Sequence, residues 1–129
     1  MTRVDSTAAQ RASVGDVLTR LKLPFVHMGI YLGDRQVLHN TPERGEHISD
    51  ISEFSRGQHL SVQKTLRHLI PGFRQRAMET LVRPRKYDAL SNNCEHTVTR
   101  VIEGKSYSAQ LWIFLVLIAG TAIILAARR

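Results

Sequence analysis

From Leu111 to Ala127 the chain runs LWIFLVLIAGTAIILAA, seventeen consecutive residues without a charge. As a helix rising 1.5 Å per residue this run spans about 25 Å, the lower limit for crossing a hydrocarbon core. A terminal helix packed into a soluble core would carry a polar face, whereas only Thr121 interrupts the apolar surface here. Trp112 at one end and Arg128 with Arg129 at the other suit the two interfaces, where an indole rests at head-group depth and guanidinium stems snorkel. Residues 109–129 are therefore expected to form a C-terminal membrane anchor. Arg100 and Lys105 on one flank nearly balance the terminal arginines on the other, so positive charge alone does not orient it. The opening residues MTRVDSTAAQRASVGD hold no apolar stretch of the kind a signal peptide needs, so the expectation is a single-pass anchor with the domain facing the cytosol.

The remainder has the size of one domain, taken as residues 13–108, after a polar segment 1–12 expected to be flexible. With 43% hydrophobic and 22% charged residues the chain has the composition of a folded unit. It carries 18 Lys plus Arg against 11 Asp plus Glu, a formal charge of +7. Zinc-finger spacing, a helix-turn-helix pattern and aromatic-interleaved basic strands are all missing, so nucleic acid is not the expected partner. Anionic lipid head groups and simple solubility both account for a basic surface. Cys94 is the one cysteine, which excludes an intrachain disulfide and suits a reducing compartment.

Along the chain, Gly15 and Asp16 precede a short candidate strand with Val17, Leu18 and Leu21. Phe25–Leu32 (FVHMGIYL), the turn residues Gly33 and Asp34, and Gln36–Asn40 predict a β-hairpin. Side chains alternate faces along a strand, so a three-residue loop (Gly33, Asp34, Arg35) sets Gly29 opposite His39 and brings His27 and His39 to one face as diagonal neighbours. A two- or four-residue loop separates them unless a bulge intervenes. Thr41–Arg56 is expected to be a polar loop, and Leu60–Leu69 suits either a strand or a helix. Phe73, Ala77 and Leu81 recur at helical spacing and predict a helix over 73–82 ended by Pro84, with Arg74, Arg76 and Glu79 on a solvated face. Ser91, Asn92 and Asn93 are helix-capping residues standing directly before Cys94, so Cys94 opens a helix that runs to Glu103 and stops at Gly104.

A thiol at a helix N-terminus feels unpaired amides and the positive end of the dipole, which favour the thiolate and an adjacent oxyanion. A nucleophilic cysteine also needs a base and a group that orients the base, and His27 and His39 are the candidates. Taken alone, a single cysteine is more often a small buried hydrophobe than a nucleophile. His47, His59 and His68 are read as surface residues, and His96 as pointing away from Cys94. The short spacings of zinc sites are absent, so neither metal nor cofactor is expected.

Gly15-Asp16, then HMGIYLGDRQVLH with histidines twelve apart, then NNCEH over 92–96 resemble the lecithin:retinol acyltransferase-like family, including its phospholipase A/acyltransferase members. The similarity covers most of the chain and includes the terminal apolar helix. It implies an α+β fold, a circularly permuted papain-like domain in which a helix bearing the cysteine packs on an antiparallel sheet. It further implies Cys94 as nucleophile, His27 as base and His39 as the orienting residue. Thr97 departs from the aromatic residue many relatives carry after the N-C-E-H box. The expected activity is a membrane-tethered, thiol-dependent phospholipid acyl hydrolase or acyltransferase working through an acyl-cysteine, with a phospholipid membrane and a lipid acyl donor as partners. The alternatives are a cysteine peptidase of the same fold and a non-catalytic, membrane-anchored interaction module.

Overall fold

The computed structural model describes residues 3–65 and 71–128. In chain order the elements are α1 (Arg3–Arg11), β1 (Val17–Lys22), β2 (Phe25–Gly33), β3 (Gln36–Thr41), β4 (Gly45–Asp50), α2 (Ile51–Ser55), β5 (Ser61–Gln63), α3 (Phe73–Val82), α4 (Cys94–Glu103) and α5 (Ala109–Ala127). The strands form one antiparallel sheet in the order β4-β3-β2-β1-β5. The fold is α+β.

Apolar side chains on alternate strand positions divide between the two faces of this sheet. Val17, Ile30 and Leu38, in register across β1, β2 and β3, meet Phe73 and Ala77 of α3 and Val98, Val101 and Ile102 of α4. Leu18, Tyr31 and Val37 face the other way, toward Ala8 of α1, Ile51 and Phe54 of α2, and Leu60. Each large aliphatic side chain so buried contributes about 1.5–3 kcal/mol. A strand with helices on both faces needs apolar residues at both parities, which is why FVHMGIYL shows no clean alternation.

The β2–β3 hairpin differs in detail from the expected three-residue loop. Gly33 pairs with Gln36, leaving a two-residue turn of Asp34 and Arg35, with φ of 49° and 63°. Paired positive φ values match the right-handed strand twist. The register shifts between Tyr31 and Gly33, so the extra residue is a bulge at Leu32. The bulge restores the parity that a two-residue turn alone would break, and Gly29 stands opposite His39.

Other segments are corrected outright. Residues 3–11 of the supposedly flexible N-terminus are helical, and Ala8 is buried in the core. The supposed polar loop 41–56 holds β4, fully paired to β3, and α2, capped by the Asp50 side chain at the Ser52 amide. Polarity misleads here because Glu46 and Ser49 are buried with partners rather than exposed. Arg76 does not belong to a solvated face. Its guanidinium donates to the carbonyls of Val101 and Ile102 at 2.8 Å each and so ties α3 to the end of α4. Of the ambiguous stretch 60–69, Ser61–Gln63 form β5, while positions 66–69, with His68, lie outside the described residues, as does Arg129. Helices α3 and α4 span the predicted ranges, and Gly104, with φ of 77°, ends α4. Helix α5 has a mean hydropathy of 2.3 and no buried residue, and is long and apolar enough to cross a membrane.

Candidate functional site

Cys94 owes its position to a well-capped helix start. Asn93 Oδ1 accepts from the amides of Glu95 at 3.0 Å and His96 at 3.1 Å, while His96 Nδ1 accepts from the Asn93 amide at 3.2 Å. This reciprocal arrangement satisfies the Asn93, Glu95 and His96 amides and turns His96 back onto its own cap. Asn40 of β3 donates to Asn92 O at 2.7 Å and to Thr97 Oγ1 at 3.1 Å. The buried Glu46 carboxylate accepts from Thr97 Oγ1 and the Arg85 amide, both at 2.7 Å, and pairs with Arg100. The start of α4 is thereby clamped to strands β3 and β4.

The last β2–β3 pair is Gly29 with His39, so residues 25–28 of β2 have no partner in β3. Cys94 and Gln110 occupy that open edge. Cys94 Sγ donates toward Val26 O at 3.9 Å and accepts from the Met28 amide, contacts that bracket His27 along the strand. Gln110 pairs with Val26 in both directions, its Oε1 accepting from the Val26 amide at 2.6 Å and its Nε2 donating to Val26 O at 3.1 Å. Burial pushes the Cys94 thiol up, and the Met28 amide only partly offsets it. Desolvation thus opposes the thiolate that the helix terminus favours.

His27 and His39 meet as the parity argument requires. His27 Nε2 and His39 Nδ1 are 2.9 Å apart, and His39 Nε2 lies 2.6 Å from Ser49 Oγ. Both rings are buried and pack against Phe54, with centroids 5.3 and 5.0 Å from its ring. Phe54 lies directly over Gly29, where an added Cβ would come within 2.7 Å of the ring. Arg20, paired with His27 across β1–β2, donates from Nε to Phe54 O at 2.7 Å. Burial first, then the positive charges of Arg20, Lys22 and Arg56, lowers His27 to about 3. Burial, followed by His47 and His27, lowers His39 to about 2. Both imidazoles are neutral at physiological pH.

A cavity of about 300 Å³ is lined by both His27 and Cys94, with Leu23, Phe25, Leu111 and Phe114 among its apolar walls. All three expected site residues thus converge on one region. The thiol hydrogen bond, however, goes to the strand carbonyl and not to the imidazole. His47, expected on the surface, is half-buried with its ring 4.3 Å from that of His39, whereas His59 is exposed. Ser49, Phe54 and Arg20 escaped the sequence analysis. Ser49 had a usable signal, two positions from His47 on a strand that the loop assignment hid. Among the described residues no group of three or more His, Cys, Asp or Glu side chains could hold a metal ion. Comparison with protein-family models and with curated proteins finds no match for the chain.

Proposed function

We propose that this chain is a membrane-tethered thiol-dependent acyl hydrolase or acyltransferase of phospholipid ester bonds, with Cys94 as nucleophile, His27 as base and His39 as the residue that orients it. The observation carrying this proposal is the single cavity shared by Cys94 and His27, in which His27 heads a buried chain through His39 to Ser49. A Cys-headed helix against an antiparallel sheet displaying both histidines also supports a circularly permuted papain-like architecture. The apolar helix α5 supports a single-pass anchor in a phospholipid bilayer, which also supplies the acyl donor; the proposal puts the domain on the cytosolic side.

His27 Nε2 is engaged by His39, so Nδ1 is the nitrogen that takes the thiol proton. The chain must then run from His27 Nε2–H to His39 Nδ1 and from His39 Nε2–H to Ser49 Oγ. A raised thiol and a lowered imidazole make the resting pair neutral, so the proton moves as the S–C bond forms. Sulfur attacks the ester carbonyl, the ester C–O bond breaks, and His27 passes its proton to the departing alcohol. Water or an amine then attacks the thioester while His27 takes its proton and returns it to sulfur as the C–S bond breaks. Because Asn93 uses the amides of Glu95 and His96, the oxyanion donor of this turn is the Cys94 amide.

Cys94→Ala in the full chain, reconstituted in phospholipid vesicles, should abolish fatty-acid release and acyl transfer while leaving thermal stability near that of the parent. Unchanged lipid turnover would end the proposal, and cleavage of peptides but not vesicle lipids would favour a cysteine peptidase. One observation favours the non-catalytic interaction module: the Cys94 thiol is bonded to Val26 O and not to the His27 imidazole. That alternative predicts alkylation of Cys94 by iodoacetamide no faster than an ordinary free thiol, at any substrate load.

A further inference from the structure

Large apolar side chains gather at the β1–β2 turn without a protein partner. Leu23, at the tip, is 85% exposed, Leu21 is 64% exposed, and Leu90, across the cavity mouth, is 66% exposed. Isolated exposed leucines need no explanation. Leu21 and Leu23, however, line a cleft with Arg20 and Arg56, and Leu23 and Leu90 line the neighbouring cavity that holds Cys94 and His27.

What adjoins them identifies the covering phase. The opposite wall of the same cavity is made by Leu111, Phe114 and Leu115 of α5. The two walls are fastened together: Phe25, two residues past the tip, meets the Phe114 ring edge-on at 5.2 Å, and Gln110 pairs with the Val26 backbone. The Glu95 carboxylate accepts from Ser108 Oγ at 3.0 Å, the Ala109 amide at 3.1 Å and Gln110 Nε2 at 2.9 Å, locking the start of α5 to α4. If the hydrocarbon begins at Leu111, Leu115 lies about 6 Å deeper at 1.5 Å per residue. Leu23 lines the same cavity as Leu115, and the Phe25–Phe114 contact carries the tip toward that depth.

We propose that Leu21, Leu23 and Leu90, with Lys22 reaching to the head groups, form a rim embedded in the same bilayer leaflet that receives α5, so that the Cys94 cavity opens into the acyl region rather than into water. The occupant is the bilayer and not a protein, because the patch is continuous with the first two turns of a helix apolar on every side. Lys22 suits this boundary, its stem against apolar surface and its charge among anionic head groups. The inference rests on α5 spanning a membrane, which is part of the proposed function, and is independent of the thiol chemistry.

Trp112 is the one tryptophan, so single-tryptophan reporters are available. The full chain is reconstituted in phosphatidylcholine/phosphatidylserine vesicles containing lipids brominated at shallow or deep acyl carbons. Three proteins are compared: the parent; Leu23→Trp in a Trp112→Phe background; and Val14→Trp in the same background. Val14 is 54% exposed and lies beside Gly33 at the far end of β2 from the tip. That separation is about 26 Å at 3.3 Å per residue. The tip reporter should be quenched by shallow bromines to within about twofold of Trp112, with little quenching at Val14→Trp. A tip reporter as unquenched as the Val14→Trp control, while Trp112 is quenched, overturns the rim and leaves a water-exposed surface. Absence of quenching at Trp112 itself removes the membrane span and the rim with it, whatever the enzymatic assays show.

Discussion

Gly29→Ala tests whether the histidine pair is held by packing. A Cβ at Gly29 would come within 2.6 Å of Val37 Cγ1 and 2.7 Å of Phe54 Cε2, separations that real Cβ contacts essentially never show. Neither neighbour can yield cheaply, because both side chains are fully buried and Phe54 is also packed against His27 and His39. Overpacking of this kind costs about 1–3 kcal/mol. For a domain of this size each kcal/mol lowers Tm by about 4–8 °C, so a fall of roughly 4–24 °C is expected in thermal unfolding of the full chain in detergent. Phe54→Leu removes the ring edge that the new methyl strikes. In that background Gly29→Ala should cost less, with a coupling of about 0.5–3 kcal/mol. Displacement of Phe54 should also loosen the two imidazoles and lower turnover in the folded fraction. A Tm within about 2 °C of the parent, or strictly additive effects in the double variant, would refute the packing account.

Two further predictions concern the histidine chain. His27 and His39 are lowered in the folded state to about 3 and about 2, against about 6.5 when unfolded. The unfolded chain therefore binds more protons as pH falls below about 6.5, and each histidine removes up to about 1.4 kcal/mol of stability per pH unit down to its folded value. Urea denaturation between pH 8 and pH 4 should show stability level above about pH 7 and falling below it. A flat profile across that window would mean the rings are not buried neutral. In the proposed mechanism Ser49→Ala deprives His39 Nε2–H of its acceptor and favours the tautomer in which His39 donates to His27, leaving no free lone pair on His27. With a penalty of about 1–3 kcal/mol, turnover should drop roughly 5- to 150-fold while Cys94 remains open to alkylation, and Ser49→Thr should recover part of the loss. Unaltered turnover would remove Ser49 from the chain.

Much of the local structure was legible. Helix α4 announces itself through Asn93, the spacing of Val98, Val101 and Ile102, and Gly104, signals confined to a few neighbouring residues. Helix α3 and the apolar helix α5 are legible for the same reason. The hairpin was legible in register but not in mechanism, since a bulge at Leu32 and a three-residue loop produce the same parity. Strand β4 was hidden because Glu46 and Ser49 resemble loop residues until Arg100, Thr97 and His39 supply their partners from distant parts of the chain.

The divide between the two kinds of information follows sequence distance. Caps, periodicities, turn residues and a long apolar run act within one or two helical turns, so the linear order of residues settles which elements form and which cysteine and histidines are available. Phe54 over Gly29, Ser49 at the end of the histidine chain, and Gln110 on the open edge of β2 are contacts across roughly 10 to 84 positions. Such contacts exist only once the sheet has closed. The electrostatics of the site belong with them: a helix N-terminus acting alone favours a thiolate, but burial beside β2 removes the water that would stabilise the charge and pushes the thiol up.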